Sequence, residues 1–409
     1  MRSRMSLIAS CVSLSLSIAS PSIPAQAAKA STGHYLFAWT GDADLKGNDF
    51  LAVIDADPAS PSYGQLITTL PTDQQTQLIH HTEYVMPASG MLFANDHDAG
   101  RTFIFDLRDP VHPKIASSFN DVAGYMHPHS YLRLPNGHVL VSFQHTHHAE
   151  AGSDATPSGG LVEIDDQGKF IRASNNYDPE FAGQLQMPYS LVVLPEIDRV
   201  LSTNSSMDYR DTAGTTYQIW RLSDLKLLKT ERFDPGHDVF AHINPEEARR
   251  APDGSVLVQT VACGLERVSD IATDHPTSEL VHVFPGASCG VPTIVGHYLV
   301  QSAPGVHAVI ALDITNPAKP IEVSRLDLQF YPHWTGWDAK TERLAVTGGP
   351  IGHDHQRLFL VKFDQTTGKL TLDTAFHDAL GKPGFDLTDR KWPHGWTGTG
   401  EPHGVVFSR

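Results

Sequence analysis

The sequence predicts an all-β fold, a seven-bladed β-propeller, and three observations lead to this prediction. A strand-like segment recurs at intervals of roughly 40–55 residues, which is the period of propeller blades. A short turn of the type Pro-His or Pro-Tyr, followed by an apolar strand, recurs as well. The chain also begins one strand late and ends one strand into a blade, so that its two ends can complete each other.

The recurring segment is rich in aromatic and β-branched residues, as β-strands are. Turn residues such as Asp109-Pro110 and Asn316-Pro317 follow most copies and lead into a second alternating strand. Each pair therefore has the pattern of the outer hairpin of a blade. The copies occupy residues 49–55, 101–106, 160–165, 217–221, 264–268, 306–313 and 357–364.

An inner hairpin is expected ahead of each outer hairpin, and the Pro-His turns lie where these inner strands start. The last inner strand should pair with residues 34–39 and close the ring without a free sheet edge. A short helix is expected only over residues 245–249. The predicted inner strands cover residues 80–85, 128–132, 187–193, 241–244, 291–295, 332–334 and 402–407.

Residues 1–27 have the features of a cleavable secretory signal. Arg2 and Arg4 precede a serine-containing apolar stretch, and Ala25-Gln26-Ala27 forms an A-x-A cleavage site. No later run reaches the length of about 18 apolar residues that a membrane helix needs. We therefore expect a periplasmic or secreted protein in which residues 28–409 form one propeller domain.

The charge and the cysteines narrow the classes of function. Removal of Arg2 and Arg4 changes the formal charge from −16 to −18, because residues 1–27 contain no acidic residue. A surface this acidic argues against nucleic acid as a partner. Cys263 and Cys289 remain in the mature chain, and in an oxidising compartment they form a disulfide, stay as two buried thiols, or act as soft metal ligands. A disulfide is the first choice.

The first residues of the inner strands should face one another around the propeller axis, since all these strands start at the same end of the channel. A single Pro-His at a strand start is more often structural, but its recurrence in several blades favours a shared metal site. In a strand, neighbouring side chains point to opposite faces, so only one of His80 and His81 should reach the axis. The expected ring contains His80 or His81, His129, Tyr189, His242, Pro292, His333 and His403.

The predicted ring contains no carboxylate or cysteine, which favours copper, iron or zinc over calcium or magnesium. Because metal binding needs neutral imidazole, metal affinity should fall as the pH drops through about 6.5. Several other histidines are assigned to solvated loops or to packing. They are His97, those of the segment 144–148, His353, His355 and His394.

The chain resembles the selenium-binding protein family, whose enzymatic members are methanethiol oxidases. The specific passage runs from Asp57-Pro58-Ala59-Ser60-Pro61-Ser62-Tyr63 through Leu70-Pro71 to Ile79-His80-His81, and it is similar to a succession of motifs in that family. Residues 242–245, residues 313–317, His129 and His403 resemble family positions in the same order. Many members carry a cysteine-rich stretch after the paired histidines, whereas residues 82–94 contain no cysteine.

The resemblance implies a seven-bladed propeller and a copper-dependent conversion of methanethiol, with oxygen and water, to formaldehyde, hydrogen sulfide and hydrogen peroxide. Copper would be held by His129, His333, His403 and one of His80 or His81, with His242 and Tyr189 as further ligands or orienting groups. Two alternatives remain open: an iron oxygenase with four axial histidines, as in carotenoid-cleaving propellers, and a non-catalytic propeller that binds metal or selenium.

Overall fold

Seven antiparallel sheets, the blades, make up the fold, as the sequence predicts. The computed structural model describes residues 33–75, 78–146, 158–207, 213–238, 240–348 and 356–409. The expected signal segment, His147, His148, His353 and His355 lie outside these residues. Among the described residues, no helix has the length and the apolar character that crossing a membrane would require.

Strands are numbered along the chain. Blade 1 contains β1 (Tyr35–Asp42), β2 (Asn48–Asp55), β3 (Leu66–Gln75) and β31 (Gly400–Phe407). Blade 2 contains β4 (Ile79–Thr82), β5 (Met91–Asp96), β6 (Arg101–Asp106) and β7 (Lys114–Phe119). Blade 3 contains β8 (Tyr125–Arg133), β9 (Val139–Thr146), β10 (Gly160–Ile164) and β11 (Phe170–Asn175). Blade 4 contains β12 (Pro188–Leu194), β13 (Arg199–Asn204), β14 (Thr216–Arg221) and β15 (Leu227–Arg232).

Blade 5 contains β16 (Pro245–Arg250), β17 (Val256–Thr260), β18 (Gly264–Ser269) and β19 (Thr277–Val283). Blade 6 contains β20 (Thr293–Val295), β21 (Tyr298–Ala303), β22 (Ala308–Asp313) and β23 (Ile321–Asp327). Blade 7 contains β24 (Pro332–Asp338), β25 (Arg343–Gly348), β26 (Arg357–Asp364), β27 (Lys369–Leu372) and a short β28 (Phe385–Asp386). A small hairpin, β29 (Arg390–Lys391) and β30 (Thr397–Gly398), follows.

The C-terminal strand completes the first blade. Strand β31 pairs antiparallel with β1, so that Val406 lies opposite Phe37. The innermost strands of successive blades contact each other in the order β31, β4, β8, β12, β16, β20 and β24, and β24 contacts β31 again. The ring of inner strands is therefore closed.

Burial decreases from the inside of a blade to its outside. In blade 1, β2 is buried throughout except at Asn48, whereas β7, the outer strand of blade 2, is largely exposed. A middle strand packs on both faces against neighbouring blades, which explains its nearly continuous apolar sequence. Apolar clusters fill the interfaces between blades; the one between blades 1 and 2, for example, contains Trp39, Phe103 and Phe105.

The structure corrects the prediction for blade 5. Residues 245–249 belong to strand β16 and not to a helix, and residues 241–244 form a turn ahead of it. Glu, Ala and Arg favour helices, but pairing with β17 and burial of the segment outweigh that weak local preference. The helical segments among the described residues are single 3-10 turns, at Pro179–Phe181, Pro195–Ile197 and Pro304–Val306.

Candidate metal centre

A β-bulge recurs in the inner strands at the point where the Pro-His turns were found. In blade 3, His129 and Ser130 together oppose the single residue Ser142, since the register shifts between Pro128 and Tyr131. An extra residue of this kind re-aims side chains and is often found next to functional sites. The bulge pairs are His80 and His81, His129 and Ser130, Tyr189 and Ser190, Glu246 and Glu247, and His403 and Gly404, with His333 as a single extra residue in blade 7.

In blades 3 and 4 the bulge is fixed by the polar side chain opposite it. The Ser142 hydroxyl accepts a hydrogen bond from the Ser130 amide at 3.0 Å and donates to the Tyr189 carbonyl of the next blade at 2.6 Å. Thr203 does the same between the Ser190 amide and the Glu246 carbonyl, at 3.1 and 2.8 Å. These bonds satisfy buried backbone groups that the bulge leaves unpaired, and they link blade 3 to blade 4 and blade 4 to blade 5.

The first residues of the bulges form a ring of side chains that we call the axial ring: His80, His129, Tyr189, Glu246, His333 and His403. Two imidazole nitrogens, Nε2 of His80 and Nε2 of His129, lie 3.0 Å apart. The His403 ring lies 4.3 Å from that of His80 and 4.6 Å from that of His333, measured between ring centroids. The Tyr189 ring packs on His129 at 3.6 Å.

His80 and His81 both face this ring, although strand alternation would send them to opposite faces. Their rings stack at 4.3 Å with an angle of 23° between the planes. The bulge explains the difference, because both residues oppose Asn95 alone. Oδ1 of Asn95 accepts a hydrogen bond from the His81 backbone amide at 2.7 Å. One nitrogen from each of His80, His81 and His129 can be chosen so that all three lie within 4.8 Å of one another.

These imidazoles are buried and neutral. Burial, and after it the neighbouring imidazoles, hold the pKa of His80, His81, His129 and His403 well below the ordinary value for histidine. Burial also lowers the pKa of His333 to about 4. Desolvation disfavours the charged form of a histidine, so each ring keeps a lone pair.

The donor set fits an imidazole-bound metal. Nδ1 of His80 and Nδ1 of His403 are buried without a hydrogen-bond partner in the described part of the chain. Buried polar atoms normally have a partner, so two unpaired nitrogens in one cluster indicate a missing ligand. Neutral imidazole suits copper, iron and zinc.

A carboxylate that sequence reasoning missed lies beside His81. Oε1 of Glu247 is 3.5 Å from Nε2 of His81. Its other oxygen, Oε2, accepts hydrogen bonds from the Tyr84 hydroxyl at 2.8 Å and from Arg249 at 2.9 Å. The Arg249 guanidinium in turn stacks on the Tyr84 ring at 4.0 Å. The site therefore contains a carboxylate next to His81, and Arg249 holds that carboxylate in place.

A cavity of about 570 Å³ opens onto the axial ring. His80, Tyr189, Glu246, His333 and His403 line it from the axis. Its other walls are mainly apolar and include Leu78, Met207, Val261, Ala287 and Pro304. Cys289 also borders the cavity and forms a disulfide with Cys263. An apolar pocket with a few convergent polar groups is the usual form of a small-molecule site.

His242 is not brought to the axis. It lies half-buried in the turn before β16, and no ring contact joins it to the axial histidines within the described residues. Glu246 occupies its expected place, because Pro245-Glu246-Glu247 is the blade 5 equivalent of Pro128-His129-Ser130. The signal was the recurring proline followed by two polar residues, rather than the histidine itself.

The other histidines lie away from the axis or border it. His394 packs on Phe50 and pairs with the Thr69 hydroxyl at 2.7 Å, on the outer part of blade 1. His97 borders His80 and His129, with ring centroids 5.8 Å from each. His145 lies half-buried at the end of β9.

Comparison with known proteins gives matches over part of the sequence and over most of the fold. Methanethiol oxidase from Hyphomicrobium sp is 36% identical over 139 residues, which is 32% of this chain and 31% of the relative. Methanethiol oxidase from Ruegeria pomeroyi is 26% identical over 144 residues, 34% of this chain and 31% of the relative. The matched segments thus span less than a third of these relatives. No protein-family model matches the chain.

A solved structure extends the likeness of fold to nearly the whole chain. The hypothetical selenium-binding protein from Sulfolobus tokodaii superposes with a TM-score of 0.70 at 15% identity, over 92% of this chain and 93% of the other. At that identity the match shows the fold alone. In sequence and in fold, the chain resembles the family of selenium-binding proteins and methanethiol oxidases.

Proposed function

We propose that this protein is a copper-dependent oxidase of a small thiol, similar in reaction to methanethiol oxidase. The observation that carries the proposal is the group of three buried imidazoles, His80, His81 and His129, of which His80 lines a largely apolar cavity. The similarity to methanethiol oxidases supports the choice of substrate. The net reaction would convert methanethiol, oxygen and water to formaldehyde, hydrogen sulfide and hydrogen peroxide.

His80, His81 and His129 would hold the metal, and His403 and His333 lie next to them as further ligands. Bound copper would supply a redox couple and a Lewis acid that lowers the pKa of a coordinated thiol. The protein itself keeps these imidazoles neutral through burial, so that no proton competes for the lone pairs. Iron or zinc would suit the same ligands, although zinc has no redox chemistry.

The cavity would hold and orient the thiol. Leu78, Met207 and Val261 offer apolar contacts to the methyl group, while the axial ring offers polar groups to sulfur. Glu246 is the carboxylate that lines the cavity together with three of the histidines, so it is placed to accept the proton that the thiol releases. Tyr189 packs on His129 and restricts the orientation of that ring.

Metal analysis and oxygen uptake test the proposal. Purified protein should contain stoichiometric copper and should consume oxygen and release hydrogen peroxide when methanethiol is added. His129→Ala and His403→Ala should lose metal and activity but keep the propeller, because blade packing is distributed over the whole ring. His242→Ala, a half-buried histidine outside the axial ring, is the matched control and should keep both.

Two outcomes would contradict the proposal in different ways. Bound copper without thiol-dependent oxygen uptake would reject the oxidase and favour a non-catalytic metal-binding propeller. Absence of stoichiometric metal from protein purified under metal-replete conditions would reject the metal site itself. Global unfolding of both histidine variants would assign the histidines a structural role.

The proposed location is the periplasm or the exterior of the cell. Two observations support it: the pattern of a cleavable signal in residues 1–27 and the disulfide between Cys263 and Cys289. Cell fractionation tests it, with the mature protein expected to begin near Ala28 in the periplasmic fraction. Recovery of full-length protein from the cytoplasm alone would reject this location.

A further inference from the structure

A row of three further imidazoles leads outward from the axial ring, and the proposed reaction uses none of them. The His97 ring lies 5.8 Å from the rings of both His80 and His129. The His127 ring follows at 6.0 Å from His97, and the His145 ring at 4.9 Å from His127. His97 is only 6% exposed, whereas His127 and His145 are both half-buried.

Polar groups of the protein hold the rings of the row in place. Nδ1 of His127 lies 3.3 Å from the His97 carbonyl, and Nε2 of His97 lies 2.7 Å from Oε1 of Gln144. Asp98 adds a carboxylate 3.0 Å from Nδ1 of His97.

The backbone supports the row at an unusual point. His127 has a φ of 55°, a left-handed conformation that is uncommon outside glycine and in which asparagine, aspartate and histidine are enriched. His127 is the third residue of strand β8 and lies two residues before His129 in the bulge. The same short segment therefore carries one ring of the row and one of the axial imidazoles.

We propose that His145, His127 and His97 form the path by which a metal ion reaches the axial ring. The proposal rests on the metal site proposed above. The axial imidazoles are buried, so an ion must exchange its water for protein ligands before it arrives. A row of imidazoles that leads from half-buried rings to the buried His97 allows this exchange one ligand at a time. The cavity, which borders His80, His333 and His403, is the competing route.

The test measures the rate of metal uptake by the apo-protein, with aqueous Cu²⁺ alone as the probe. Trp334 reports arrival at the ring, because its indole lies 5.0 Å from His81, and quenching of tryptophan fluorescence can be followed by rapid mixing. The variants are His127→Asn, which tolerates the left-handed conformation, His145→Gln and the double variant. His282→Gln is the control, since His282 is a half-buried strand histidine in blade 5.

The double variant should take up Cu²⁺ more slowly, on the order of tenfold, and should release it to an external chelator more slowly by the same factor. Equal slowing in both directions leaves affinity and stoichiometry unchanged, which distinguishes a path from a set of ligands. Uptake at the wild-type rate would overturn the proposal and assign entry to the cavity. A fall in stoichiometry or affinity would overturn it by making these residues ligands. Failure of wild-type protein to bind metal would instead reject the proposed function.

Discussion

Nε2 of His81 and Oε1 of Glu247 face each other at 3.5 Å, both buried, and neither has a hydrogen-bond partner among the described residues. Arg249 and Tyr84 hold the other carboxylate oxygen and so fix the orientation of Glu247. A carboxylate beside a ligating histidine selects its tautomer and raises its basicity. When Nε2 of His81 carries the proton toward Glu247, Nδ1 keeps the lone pair that a metal needs.

Glu247→Gln is therefore expected to weaken metal binding by about 10–100-fold, since the amide removes the charge that makes His81 more basic. A competition titration with a chelator measures the affinity. Glu83→Gln is the matched control, because Glu83 is another buried carboxylate paired with an arginine, Arg133, at 2.7 Å. Both variants should lose stability, by about 3–5 kcal/mol, but only Glu247→Gln should lose affinity. Equal affinities would show that Glu247 has no influence on the metal.

Metal affinity is expected to persist to lower pH than free histidine would allow. The sequence alone predicts a loss as the pH falls through about 6.5. In the structure, burial places the pKa of His80, His81 and His129 well below that value, and that of His333 at about 4. Protons therefore do not compete for these rings until the pH is well under 6.5. Affinity titrations between about pH 5 and 8 should be flat, and a decline that begins at 6.5 would contradict the burial of the ligands.

The same lowered pKa values make the apo-protein less stable as the pH falls. The unfolded chain takes up protons on these histidines below about pH 6.5, while the folded chain does not. Their contribution is therefore fully present above pH 6.5 and is lost as the pH falls from there toward the depressed folded-state pKa values. Bound metal should offset this loss, because it binds the folded state.

The sequence predicted the blades because a buried strand and an exposed strand differ in their apolar pattern, which β2 and β7 illustrate. It also located His129, His333 and His403, since a proline precedes each of them. It missed Glu246 and Glu247, because most residues of Pro245–Arg250 favour a helix. His242 lies close by in the sequence, and histidine is a more common ligand of copper than glutamate is. It also could not show that His80 and His81 share one face. That depends on a bulge stabilised by Asn95, and such a bulge comes from tertiary contacts rather than local preference.

Glu266 on β18 is expected to make the protein less stable as the pH rises. Both of its carboxylate oxygens are buried without a hydrogen-bond partner in the described chain, and burial raises its pKa to about 8. In the unfolded chain it ionises near its ordinary pKa, so stability is lost between about pH 4.5 and 8. Over this range Glu266→Gln should remove a loss on the order of 5 kcal/mol in the free energy of unfolding.

Urea unfolding at several pH values checks this prediction. The control is Glu322→Gln, since Glu322 is a more exposed carboxylate that pairs with Arg325 at 2.8 Å on β23. Its removal should leave the pH profile as in the wild type. An identical profile for Glu266→Gln would show that Glu266 is ionised in the folded protein and has found a partner.

The disulfide between Cys263 and Cys289 is expected to stabilise the propeller without binding metal. It joins the start of β18 to the segment before β20, across blades 5 and 6, and closes a loop of 26 residues. A loop of that size constrains the unfolded chain by about 3 kcal/mol. The double variant Cys263→Ala and Cys289→Ala should lose roughly this free energy of unfolding and keep its copper. Loss of copper with unchanged stability would instead make the cysteines soft metal ligands. Cys289 borders the cavity beside His333 and His403, so it is close enough to the site for this outcome to be tested.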